Sequence, residues 1–225
     1  MKSLQKFGSI AAFYLAISHM IGIVIFLVVL DYTSITDPAQ KVALNVEKQM
    51  IVFSTNLLMY VFFGFALITL LLAFYDRLKS GAVPLMQAAF AIGLIWAGSL
   101  IASGMVSNAG LAAIVPLYAK DPAQAALTWQ SIEAVTSGLG NANGEILGGV
   151  FTLLISLAGF RTEGLPKALN MLGLVIGVVG ILTIIPILNS FVGVFGLGQI
   201  VWFIWLGIVL LRSNFLTSTM KQANV

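Results

Sequence analysis

Apolar and polar residues alternate along this chain in long blocks, with six charge-poor apolar stretches separated by polar segments. A helix needs roughly 20 apolar residues to cross a hydrocarbon core of about 30 Å. The stretches that meet this requirement are Gly8–Leu30, Ile51–Tyr75, Leu85–Ser107, about Gly138–Phe160, Ala168–Ile187 and Ser190–Leu211. The last two come from one charge-free run, Ala168–Leu211, which as a continuous helix would be roughly 66 Å long, about twice the core thickness. It is therefore expected to fold back on itself. Pro186 removes a backbone donor there, and Asn189 and Ser190 offer small polar groups to the freed backbone. The pattern predicts an all-α, polytopic transmembrane bundle of six spans forming a single domain over residues 1–225.

The charges orient this bundle. Lys2, Lys6, Arg77, Lys79, Arg161, Lys167, Arg212 and Lys221 fall on one side of the predicted spans, and Lys41, Lys48 and Lys120 on the other. Basic residues accumulate on the cytoplasmic side of membrane proteins, so both termini are expected inside, in a bacterial inner membrane. Asp31, Asp37, Glu47, Asp121, Glu133 and Glu145 lie on the opposite, outer side. The first span is longer than a signal-peptide core and has no small-residue cleavage site after Leu30, so it is expected to be retained.

Composition agrees with lipid as the solvent. Hydrophobic residues make up 60% and charged residues 8% of the chain, and the mean hydropathy is +1.05, leaving too few polar side chains to cover a water-facing surface. The net charge of +3 is spread beside span ends rather than gathered in one patch, which argues against a nucleic-acid partner. With no cysteine, thiol catalysis and thiolate metal sites are excluded.

Two outer segments carry the same phrase, Asp37-Pro38-Ala39-Gln40 and Asp121-Pro122-Ala123-Gln124, 84 residues apart. Asp suits an N-cap and Pro the first helical position, so both read as helix starts. The short helices they open, Pro38–Met50 and Pro122–Thr136 with Leu127 and Trp129, are expected to lie in the outer interface as linkers or as a lid. The spacing also superimposes span one on span three and, roughly, span two on span four. This is compatible either with duplicated hairpins or with two independent uses of a good capping phrase.

Polar residues at membrane depth are the candidates for chemistry. His19, the only histidine, falls near the middle of span one. One histidine cannot form a bis-histidine haem site and has no nearby carboxylate for a metal, so no metal or cofactor is expected. Glu145 lies at the start of span four behind Gly138-Leu139-Gly140-Asn141-Ala142-Asn143-Gly144, a segment rich in glycine and asparagine that would weaken a helix. Asn56 lies at comparable outer depth, and Ser99, Ser103 and Ser107 share one face of span three. His19, Asn56, Ser99, Ser103, Asn141, Asn143 and Glu145 form the expected outward-opening polar pocket. The alternative is interhelical glue and small-residue packing, the reading that also fits Gly173 and Gly177 in span five.

Leu4-Gln5-Lys6-Phe7-Gly8-Ser9-Ile10-Ala11-Ala12-Phe13-Tyr14-Leu15, Gly144-Glu145-Ile146 and Gly164-Leu165-Pro166-Lys167-Ala168-Leu169 resemble a bacterial family of small six-span membrane proteins known only as a domain of unknown function. The resemblance covers most of the chain and implies topology rather than mechanism. The functional expectation is a non-enzymatic bundle that binds or moves a small or lipid-like molecule. The first alternative is an accessory or assembly subunit that docks on a membrane protein partner or on copies of itself. A membrane enzyme using His19 and Glu145 as acid and base stands third.

Overall fold

The computed structural model describes the backbone of residues 2–140 and 145–222, and side chains up to Arg212. Among these residues all regular structure is helical. The α-helices are α1 (Lys2–Val24), α2 (Pro38–Glu47), α3 (Gln49–Asn56), α4 (Phe63–Leu78), α5 (Val83–Tyr118), α6 (Pro122–Gly140), α7 (Ile146–Thr162), α8 (Lys167–Leu182) and α9 (Val192–Gln222). A π-helical segment, Ile25–Val29, extends α1, and another, Leu57–Phe62, joins α3 to α4.

Four stretches are long and apolar enough to cross a membrane: Ser3–Val29, Gln49–Gly81, Val83–Tyr118 and Pro186–Arg212. The regions of the fourth and fifth expected spans are occupied by the shorter helices α7 and α8, of 17 and 16 residues. At 1.5 Å per residue each is about 25 Å long.

Three boundaries differ from the sequence expectation. The third span does not stop at Ser107, because α5 runs on to Tyr118 with Pro116 inside its last turn. Pro116 lacks the N–H that would donate to the Ala112 carbonyl, and the helix ends two residues later. The fourth span does not begin near Gly138. Residues up to Gly140 belong to the end of α6, and α7 starts only at Ile146. The expected break of the Ala168–Leu211 run is present, but α8 already ends at Leu182. A 3-10 turn, Pro186–Phe191, leads into α9. Asn189 Nδ2 donates to the Thr183 carbonyl at 3.3 Å, so a side chain satisfies backbone that the break releases.

The chain forms two compact units, residues 1–17, 65–97 and 143–225 in the first and residues 18–64 and 98–142 in the second. In the first unit α7 packs chiefly on α8, and α8 on α9. Glycine makes the α7–α8 contact possible. A Cβ on Gly149 would stand 2.8 Å from the Gly177 carbonyl oxygen and 2.7 Å from the Ile181 nitrogen, so backbone meets backbone. In lipid, where apolar burial gives helices little reason to associate, such close approach supplies dispersion contacts instead. Phe74, Trp96, Phe151, Trp202 and Phe203 fill the interior, with neighbouring ring centroids 5.4–6.2 Å apart. Ser9 Oγ donates to the Gly207 carbonyl at 2.7 Å and Gln5 Nε2 to that of Ala73 at 2.9 Å, tying α1 to α9 and α4.

In the second unit α2 packs on α6. The two Asp-Pro phrases do start these helices: an Asp37 carboxylate oxygen accepts from the Ala39 N–H at 3.0 Å, and one of Asp121 from the Gln124 N–H at 2.9 Å. Trp129, expected in the interface, is instead buried between these elements at 4% exposure. Widening a helix to π geometry leaves carbonyls poorly paired. Ser18 Oγ answers one of them, donating to the Leu58 carbonyl at 3.0 Å.

Candidate functional site

The residues expected to form one pocket are divided between the two units. Asn141 and Asn143 lie outside the described residues. His19, Asn56, Ser99 and Ser103 belong to the second unit or its boundary on α5, and Glu145 belongs to the first.

Asn56 is the centre of a buried polar knot. Its Nδ2 donates to Ser107 Oγ and to Asn108 Oδ1, both at 2.9 Å, and Asn108 Nδ2 reaches the Phe53 carbonyl at 3.3 Å. Both Nδ2 protons of Asn56 are thus engaged, and the knot holds α3 against α5. Ser103 Oγ donates to the Thr136 carbonyl at 2.9 Å, and a Cβ on Gly140 would run into it. Ser103 therefore marks the close passage of α5 and α6. Ser99 is half-buried. The His19 ring stands edge-on to Phe63 with centroids 5.1 Å apart. Asn56 lies seven residues before Phe63 on the same helical run. Among the described residues no group of His, Cys, Asp and Glu is placed to hold a metal ion.

Glu145 presents a different situation. It precedes the first residue of α7 without capping it, and its N–H donates to Thr183 Oγ1 at 2.8 Å. Thr183 is fully buried and in turn donates to the Gly180 carbonyl at 2.6 Å. Glu145 is 9% exposed, and its Oε2 has no hydrogen-bond partner among the described residues. A carboxyl group withdrawn from water without a cation or donor beside it carries a large desolvation cost. One turn into α7, Gly148 faces Trp96 and Phe195, both close enough to meet a Cβ at 2.9 Å. The elements around Glu145 are the C-terminal end of α8, whose last carbonyls carry the negative end of the helix dipole, and the irregular Thr183–Ile185 segment. This arrangement leaves an acceptor oxygen at an interrupted helix, one turn before the Gly148 position against which Trp96 and Phe195 pack.

A third cluster lies beside the Asp-Pro helices and was not expected from the sequence. The Tyr32 hydroxyl donates to Glu133 Oε1 at 3.0 Å and accepts from Trp129 Nε1 at 3.2 Å and Asn45 Nδ2 at 3.4 Å. Lys41 Nζ pairs with the same Glu133 oxygen at 3.1 Å and sits 5.1 Å from the Tyr32 ring centroid. Burial pushes the Tyr32 phenol up to about 12. No local spacing signals this cluster, because its members come from residues 32, 41, 45, 129 and 133 and meet only when α2 packs on α6. The first unit holds one more buried pair, Gln199 Nε2 donating to Thr152 Oγ1 at 2.6 Å.

No protein-family model matches the chain, and neither a curated protein nor a solved structure matches it.

Proposed function

We propose that this is a multi-pass bacterial inner-membrane protein that binds or moves a small molecule, with Glu145 as the principal contact. The observation that carries this reading is the buried Glu145 carboxyl, whose Oε2 lacks a partner among the described residues at the interruption between α8 and α9. Irregular backbone at membrane depth is tolerated where it lines a cavity or is covered by protein, and carboxyl groups there mark ligand or ion sites. The chemistry points to a ligand that brings positive charge or hydrogen-bond donors to the carboxyl and an apolar or cationic face to Trp96 and Phe195. A small amine with an apolar portion fits that description. In the six-span topology proposed from the sequence, with the Lys/Arg-rich side cytoplasmic, Glu145 would lie near the outer side of the membrane.

The test is a thermal-shift titration of detergent-purified protein with primary and quaternary alkylammonium chlorides. A ligand at 100 times its Kd stabilises the folded state by about 2.7 kcal/mol. Wild type and the exposed-site control Glu163→Gln are expected to shift alike and Glu145→Gln not at all. An equal shift in Glu145→Gln would sink the proposal.

A second reading, an accessory subunit of a larger membrane complex, is favoured by one feature of α9. Val194, Leu197, Val201, Ile204, Ile208 and Leu211 are all exposed and recur at alternating spacings of three and four residues. A Cβ at Gly193 or Gly196 would meet nothing within 4 Å. Such a seam suits a partner helix. Extraction in mild detergent as a monodisperse monomer with no co-purifying protein would count against it.

A further inference from the structure

A cleft of about 580 Å³ opens on the surface of the first unit between the end of α7 and the start of α8, lined by Phe160, Lys167, Ala168, Met171, Leu172 and Val175. Every lining residue except Lys167 is apolar. Lys167 stands at the first position of α8, and Arg161, exposed, follows the lining residue Phe160. The intervening turn contributes a single acid, Glu163. The apolar floor continues beyond the cleft, since Met171, Val175, Val178 and Leu182 are exposed one above another along α8 at 58%, 57%, 47% and 40%.

We infer that this cleft is a binding site for an anionic phospholipid, with one acyl chain along Met171 and Val175 and the phosphate at Lys167. The shape of the surface sets the order of the parts. A charge at one end of an apolar trough beginning at a span end matches an amphiphile whose head lies at the membrane surface and whose tail enters the hydrocarbon. Basic residues near a membrane surface attract anionic headgroups, and a lysine stem can cover apolar surface while its ammonium stays at the interface. Ala168 is what keeps the mouth open, because a larger side chain there would occupy the trough directly below the headgroup. The site stands apart from Glu145 and does not rest on the proposed ligand of that residue.

Purified full-length protein should be titrated with phosphatidylglycerol and with phosphatidylcholine of identical acyl chains, and the lipid retained counted by native mass spectrometry. Wild type is expected to retain phosphatidylglycerol preferentially. Lys167→Gln should lose about five-fold in that preference, the roughly 1 kcal/mol that one basic residue near a membrane surface contributes, while still retaining lipid. Ala168→Phe should lose retention of both lipids at this site. If Ala168→Phe fails to fold, Val175→Trp, at an exposed position, blocks the same trough. Unchanged headgroup preference in Lys167→Gln would overturn the inference, as would undiminished retention in the blocked variants. A wild-type dimer that the blocked variants abolish without change in lipid retention would assign the cleft to a second copy of the chain instead.

Discussion

The Tyr32 hydroxyl donates a hydrogen bond to Glu133 across 101 residues of sequence, at 3.0 Å. The same oxygen accepts from Trp129 and Asn45, so its one donor and two acceptor positions are all in use. Glu133 also receives Lys41, which makes Tyr32 the point where α2, α6 and the segment after α1 are joined.

Removing that hydroxyl should leave Trp129 Nε1 and Asn45 Nδ2 without their acceptor. Asn45 is fully buried and its Oδ1 is already without a partner among the described residues. Tyr32→Phe is expected to cost about 1–3 kcal/mol, the penalty for stranding buried polar groups, and to lower the thermal unfolding midpoint. An unchanged midpoint would show that the cluster is decorative.

The same residue predicts alkaline lability. Burial is the largest cause of the rise of the Tyr32 phenol from 10.0 to about 12. The folded state therefore holds this proton more tightly than the unfolded chain. Its contribution to stability is complete below about pH 10 and is lost as pH rises from about 10 through about 12. Stability measured across that window should fall more steeply in wild type than in Tyr32→Phe, and parallel curves would contradict the assignment.

The contact of α7 with α8 depends on bare backbone at Gly149. Gly149→Ala would place a methyl group 2.7–2.8 Å from backbone atoms of α8, atoms that cannot move aside as a flexible side chain would. Overpacking of this kind costs about 1–3 kcal/mol. Lower folded yield and a lower unfolding midpoint are expected, whereas Gly193→Ala, which meets nothing within 4 Å, should behave as wild type.

Much of this architecture is legible in the sequence because it follows from local chemistry. Asp37 and Asp121 start helices as the capping phrase implies, and the break near Pro186, with Asn189 serving freed backbone, follows from proline's missing donor and the need to satisfy carbonyls in an apolar medium. The helix ends at Tyr118 and Gly140 are not legible in hydropathy, since residues 109–118 and 137–140 are equally suited to a membrane span or to an interfacial helix. The site is legible in part. Glu145 stands out because it is an acid beside an apolar run, but Thr183, which holds its N–H, lies 38 residues away and is an ordinary threonine in sequence. Ser107 and Asn56 are noticeable as polar residues, whereas their direct bond depends on how α3 packs on α5, which periodicity does not encode.

The absence of native cysteine makes topology directly measurable. Single-cysteine replacements at Lys79 and Arg161 should react with a membrane-impermeant maleimide only after the cytoplasmic side is opened, and replacements at Lys41 and Lys120 should react from outside in intact cells. Labelling of Lys41 and Arg161 positions from the same side would contradict the six-span orientation.

The central claim is that the Glu145 carboxyl contacts a ligand. High-resolution imaging of protein extracted gently from native membranes tests it most directly. The account predicts non-protein density within hydrogen-bond distance of Glu145 Oε2, between the end of α8 and the Trp96 and Phe195 rings. A Glu145 carboxyl enclosed by protein atoms alone, in a bundle docked through α9 against another subunit, would contradict it.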